Sequence, residues 1–154
     1  MERGEIIAAI RSFPAELDAL LSGLPDAQIR RRPTDDEWSL LEVCCHLRDS
    51  VAFEQERVQL LVTEDNPTLE AYDQEALATE RRYAEDDIER VRRALSIGWR
   101  RIADMLAELP EGDWERAGLH PELGRVTVAD RAERLPIHAR EHFAQMRAMR
   151  ERQM

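Results

Sequence analysis

Apolar residues recur at alternating three- and four-residue spacing in four long stretches, the signature of helices that bury one face. In the first, Ile6, Ile10, Phe13, Leu17, Leu20 and Leu24 line up over a helix predicted from about Arg3 to Leu21. Pro14 falls inside it, so a kink or a break is expected there. Ser22-Gly23-Leu24-Pro25 closes the element, and Asp26 to Glu37, with Pro33 and several charges, reads as connector. The second helix begins at Ser39. Ser39 and Glu42 have capping-box spacing, and Trp38 just before them can pack back as a staple. Leu40, Val43, Cys44, Leu47 and Val51 form its stripe, with His46 on the flank beside Val43, Ser50 and Phe53. It runs to about Val62, before Asn66-Pro67.

Thr68 to Tyr83 is acidic and weakly periodic, with room for a short helix around Gln74–Thr79. The third long helix starts near Asp86-Asp87, whose charges suit a helix N-terminus, and continues to Leu109. Ile88, Val91, Leu95, Ile102, Leu106 and Leu109 form its inward face. Asp113 to Arg125 is rich in glycine and proline and reads as a loop. Thr127, with Asp130 at the reciprocal position, caps a fourth helix from Val128 to about Arg150, and Pro136 should bend it. No strand alternation is evident. The expectation is an all-α, single-domain four-helix bundle over residues 1–154, with connectors at 63–85 and 110–126 long enough for crossovers.

Composition narrows the function classes. The formal charge is −10, from 32 acidic and 22 basic residues, and the longest basic run is Arg30-Arg31-Arg32 in a connector. That argues against nucleic acid or an anionic membrane as partner. Every basic residue is arginine, which excludes a Schiff-base lysine. Cys44 and Cys45 are adjacent and diverge by about 100° on a helix, so no disulfide is expected. That pairing pattern, and an N-terminus without a basic start and apolar run, point to the cytoplasm.

The fourth helix carries the candidate chemistry. Leu135, His138, His142, Gln145 and Met149 share one predicted face, and residues four apart place two imidazoles side by side. On spacing alone, a pair of hydrogen-bonded core histidines competes with a metal site. His46, on another helix, supplies a third imidazole and tips the reading toward a divalent ion held by His46, His138 and His142. Three nitrogens leave coordination positions open, as in catalytic zinc sites. Imidazole suits Zn²⁺ first, then Ni²⁺, Fe²⁺ or Mn²⁺. The remaining candidates are Asp49, favoured over Glu42 to orient the His46 ring, and Gln145, placed to bond a bound water or ligand. Glu141 points away to solvent, His120 sits in a loop with a structural role or at a pocket mouth, and the cysteines behave as small core residues.

The stretch Trp38-Ser39-Leu40-Leu41-Glu42-Val43-Cys44-Cys45-His46-Leu47-Arg48-Asp49-Ser50 resembles the corresponding motif of the DinB-like (YfiT-like) superfamily of bacterial four-helix bundles. Trp114, then His120-Pro121-Glu122-Leu123-Gly124, Thr127, His138, His142 and Gln145 resemble its closing pattern. The resemblance implies an up-down-down-up topology, a divalent metal on His46, His138 and His142, and a homodimer. Ala139 stands where members often have an acidic residue, and Glu141 where others have histidine. The resemblance also implies a reaction: transfer of a low-molecular-weight thiol, such as bacillithiol or mycothiol, to small electrophiles in detoxification. Metal-dependent hydrolysis is the enzymatic alternative, and a metal-stabilised, non-catalytic dimer the other.

Overall fold

A computed structural model describes residues 1–153. The four long helices are α1 (Arg3–Leu21), α3 (Leu40–Thr63), α5 (Ile88–Glu108) and α6 (Val128–Arg152); two short ones, α2 (Asp26–Arg30) and α4 (Gln74–Glu80), lie in the connectors. Both capping boxes form. Ser39 accepts from the Glu42 amide while Glu42 accepts from the Ser39 amide, and Thr127 and Asp130 repeat the pattern. These two boxes fix the start of α3 and α6, and so the turn on which each histidine sits. Both α1 and α6 continue through their prolines rather than breaking. Tertiary packing holds those turns even though each proline removes one helix hydrogen bond.

Side-chain contacts give the directions. Arg11 reaches Asp104 and Arg92 reaches Asp18, so α1 and α5 are antiparallel. Arg150 donates to the Leu20 carbonyl near the C-terminal ends of α1 and α6, which run parallel. Gly98 faces Val51, and Leu60 and Met105 line one groove, so α3 and α5 are also parallel. His46 meets His138 and Glu54 meets Arg131, which makes α3 and α6 antiparallel. The result is an up-down-down-up four-helix bundle.

At its centre Phe13, Trp99 and Phe143 interlock edge to face, with centroids 5.5–6.0 Å apart. Each such pair adds about 0.5–1.5 kcal/mol beyond the burial of its area.

Two expectations need correction. The connector after α1 is not all loop: Asp26 to Arg30 form a helical turn, and Arg32 grips Glu42 through two bonds of 2.8 and 2.6 Å. The segment 113–125 is not all loop either. A single 3₁₀ turn leads into a hairpin of β1 (Ala117–His120) and β2 (Gly124–Thr127). Gly124, with φ +76°, makes the turn that L-residues resist. The hairpin is bolted to the linker after α3, because the Leu69 amide donates to the Leu119 carbonyl and the Leu119 amide donates to the Pro67 carbonyl. The bolt requires Gly118, where an added Cβ would stand 2.6 Å from the Pro67 carbonyl oxygen and 2.8 Å from Leu61. Since the nearer obstacle is backbone, Gly118→Ala is expected to destabilise the protein by about 1–3 kcal/mol, read as a lower urea midpoint.

Candidate metal centre

The two capping boxes place His46 in the second turn of α3, and His138 and His142 in the third and fourth turns of α6. Because these helices are antiparallel neighbours, the three rings converge. His138 Nε2 lies 3.1 Å from His46 Nε2 and 3.1 Å from His142 Nε2, and all three ligand atoms fall within 4.8 Å of one another. His46 is 2% exposed, while His138 and His142 are half-buried along a cleft. The α6 stripe is rotated from the predicted one. Ala132, Leu135, Ala139, Phe143, Met146 and Met149 face the core, so His138 and His142 lie one residue, or about 100°, off its centre. That offset turns them toward the cleft rather than the packed interior.

His46 and His138 are held neutral. Burial pushes His46 down to about 3, and the neighbouring imidazoles add to the shift. Burial and then His142 push His138 down to about 4. At neutral pH each of these two rings therefore has one nitrogen with a free lone pair and need lose no proton to bind an ion. Three Nε2 atoms facing one point cannot all be satisfied by one another, because each N–H can serve only one acceptor. A cation at that point would accept all three lone pairs. The 3.1 Å spacings are close to the roughly 3.3 Å edge of a tetrahedron with metal–nitrogen bonds of about 2.0 Å. The donor set thus fits a divalent ion.

Gln145 is exposed, unlike its predicted place on the buried face, and its Oε1 accepts from His142 Nδ1 at 2.8 Å. That bond fixes the tautomer which leaves Nε2 free for a metal. Gln145→Ala is therefore expected to weaken metal binding about 10-fold with little change in stability, read by competition with a chromogenic chelator.

Asp49 does not orient the His46 ring. Its carboxylate bonds the Tyr83 hydroxyl, Arg48 at 3.2 Å and Arg81 at 3.0 Å, tying α3 to the segment before α5. Burial, and then this hydrogen bond, raise the Tyr83 phenol. The His46 ring instead packs on Trp38, with centroids 5.3 Å apart. Glu42 is occupied by its cap and by Arg32, and Glu141 is exposed near Arg134. His120 is buried, and its Nδ1 accepts from the Glu122 and Leu123 amides, a structural task within the hairpin turn. Both cysteines are fully buried, and burial pushes their thiols up to about 12, which leaves them unreactive.

Beside the histidines a cavity of about 180 Å³ opens between α3 and α6, reaching His138 at one end and Glu54, Arg57 and Arg131 at the other. Leu47, Val51, Trp99 and Leu135 supply its apolar wall. The polar end was missed in the sequence. Its signal was present: His46, Ser50, Glu54 and Arg57 follow one helical face at steps of four, four and three.

No helix among the described residues is long and apolar enough to cross a membrane. Known proteins agree with this architecture. The chain is 30% identical over 156 residues to a "putative metal-dependent hydrolase" of Geobacillus kaustophilus, covering 98% of this chain and 87% of that one. It is 24% identical to a protein of the same description from Oceanobacillus iheyensis, over 93% of this chain and 82% of the other. Its fold matches the solved structure of YfiT from Bacillus subtilis, described as "a probable metal-dependent hydrolase with an unusual four-helix bundle topology". That match has a TM-score of 0.91 at 22% identity, over 99% of this chain and 87% of YfiT. Residues 9–146 match the family model of the DinB superfamily, and with the bundle and its three converging histidines in place, the chain belongs to that superfamily.

Proposed function

We propose that this chain is a divalent-metal-dependent enzyme that transfers a low-molecular-weight thiol to small electrophiles. The observation that carries the reading is the convergence of His46, His138 and His142 beside a cavity that reaches His138. A bound ion, Zn²⁺ first among the candidates, supplies Lewis acidity: it lowers the pKa of a coordinated water or thiol. The chain's own residues hold and orient. Gln145 fixes the His142 tautomer, Trp38 braces the His46 ring, and Leu47, Val51, Trp99 and Leu135 keep bulk water from the reacting groups.

Thiol transfer is favoured over hydrolysis by what surrounds the histidines. Among the described residues, the nearby carboxylates are engaged: Asp49 with Tyr83 and two arginines, and Glu54 with two arginines. No free general base stands beside the rings. A thiol, whose ordinary pKa is about 8.5, needs far less help to ionise than water. In the transfer the thiol proton leaves to solvent, the sulfur bonds to the electrophilic carbon, and the leaving group departs with its electron pair. Hydrolysis is the second reading, favoured by the descriptions of the relatives.

Zn²⁺-loaded protein, purified without a polyhistidine tag, separates the two. Consumption of a small thiol in the presence of monochlorobimane, lost in His46→Ala, is the expected result. Release of product from ester substrates without thiol would replace transfer by hydrolysis. If wild type and His46→Ala carry equally little metal, both enzymatic readings fall and a non-catalytic bundle is left.

A further inference from the structure

The polar end of the cavity is built unlike the rest of the bundle. Glu54, Arg57 and Arg131 are 7, 8 and 7% exposed, yet two guanidiniums share a single carboxylate. Arg131 grips Glu54 with Nε at 3.0 Å and Nη2 at 2.7 Å, and Arg57 reaches the same carboxylate at 2.6 Å. The other arm of Arg57 donates to the Glu70 carbonyl at 2.7 Å, and its guanidinium lies over the Tyr72 ring. Among the described residues Arg131 Nη1 donates to no acceptor. Two guanidiniums thus share one buried carboxylate and line the cavity with more donors than it can accept. His120, buried nearby, holds its proton less tightly than usual, first through burial and then through the charges of Arg57 and Arg131.

We propose that Arg57 and Arg131 form the seat for a carboxylate on the substrate, so that the enzyme acts on small organic anions with a short apolar middle. This rests on the metal-centre reading above and adds the substrate class. The guanidinium fork matches a carboxylate's two oxygens. Arg134 and Arg131 stand four and seven residues before His138, about 6 and 10 Å along the helix axis. Leu47, Val51, Trp99 and Leu135 line the space between. A molecule seated there has its anionic end on the arginines, its aliphatic section against these apolar residues and its reacting atom at the histidines. Glu54 is the resident competitor. It positions both arginines when the seat is empty and shares them when an anion arrives.

The test compares ω-mercaptohexanoate with ω-mercaptohexanol on Co²⁺-loaded protein, read by the near-ultraviolet absorption that a thiol ligand adds. The acid is expected to bind at least about 10-fold tighter than the alcohol. Arg131→Gln should bring that ratio close to one. Glu54→Gln, which keeps the shape and an acceptor but removes the competing charge, should strengthen binding of the acid and leave the alcohol unchanged. This opposite sign keeps the test decisive should Arg131→Gln fail to fold. In parallel, metal-free protein is titrated with hexanoate while the Arg57 and Arg131 Nε–H resonances are followed. Shifts there without a thiol band on the loaded protein would support the seat and sink the metal reading. A thiol band of equal affinity for acid and alcohol, or no gain in Glu54→Gln, overturns the seat and leaves the metal reading standing.

Discussion

His138→Ala is expected to abolish stoichiometric metal binding. His138 is the middle ring of the three, in contact with both His46 and His142, which depend on it to close the set. Removing it leaves two nitrogens, one from each helix, and no nearby carboxylate free to substitute. Loss of an outer partner to a metal ligand alone costs about 10–100-fold in affinity, so loss of a ligand should exceed 100-fold. Element analysis of untagged protein should find about one ion per chain in the wild type and a small fraction of that in the variant. Circular dichroism should show the same helix content in both, because α6 is set by its capping box and by the core residues Phe143 and Met146 rather than by His138. Equal metal in the two proteins would mean that the ion sits elsewhere.

The long helices were legible in the sequence because local chemistry and burial agree along them. Ser39 with Glu42 and Thr127 with Asp130 mark two starts that the structure reproduces to the residue. The meeting of His46 with the other two histidines was read from a third imidazole on the inward side of another helix, and the family resemblance added to that reading. Spacing within one helix places His138 next to His142, but no local rule sets the register of α3 against α6.

What stayed hidden is long-range. The hairpin at 117–127 has four-residue strands and owes its order to Gly118 lying against Pro67, about fifty positions away. The stripe of α6 was misplaced because histidine and glutamine at apolar spacing look like core positions. Ala139 and Phe143 take the core instead, and the polar residues turn to the cleft. Asp49 was assigned to its sequence neighbour His46, three residues away, when its partners come from Arg81 and Tyr83 on another segment. The Arg57–Glu54–Arg131 cluster joins two helices and is invisible to any single window.

Metal-free protein should lose stability steeply on mild acidification. His46 and His138 titrate near 3 and 4 in the fold, against an ordinary value of about 6.5 in the unfolded chain. Between those limits the unfolded chain binds protons that the native one refuses, so stability is complete above about pH 6.5 and declines as pH falls through it. Each imidazole contributes a slope of up to about 1.4 kcal/mol per pH unit. From pH 7 to 5 the two together should cost about 2–4 kcal/mol, the lower part of the range allowing for the partial exposure of His138. His120, also shifted downward, adds in the same direction, whereas Asp49 opposes the shift at His46, and Arg131 and Arg134 reinforce it at His138. The lowered carboxyls of Glu42 and Asp86 act only below their ordinary range near 4, so this window isolates the imidazoles. Urea titrations of chelator-treated protein at pH 7 and 5 measure the drop, and His46→Gln should remove a large share of it. A midpoint unchanged between the two pH values would show that His46 and His138 accept protons in the fold as readily as in the unfolded chain.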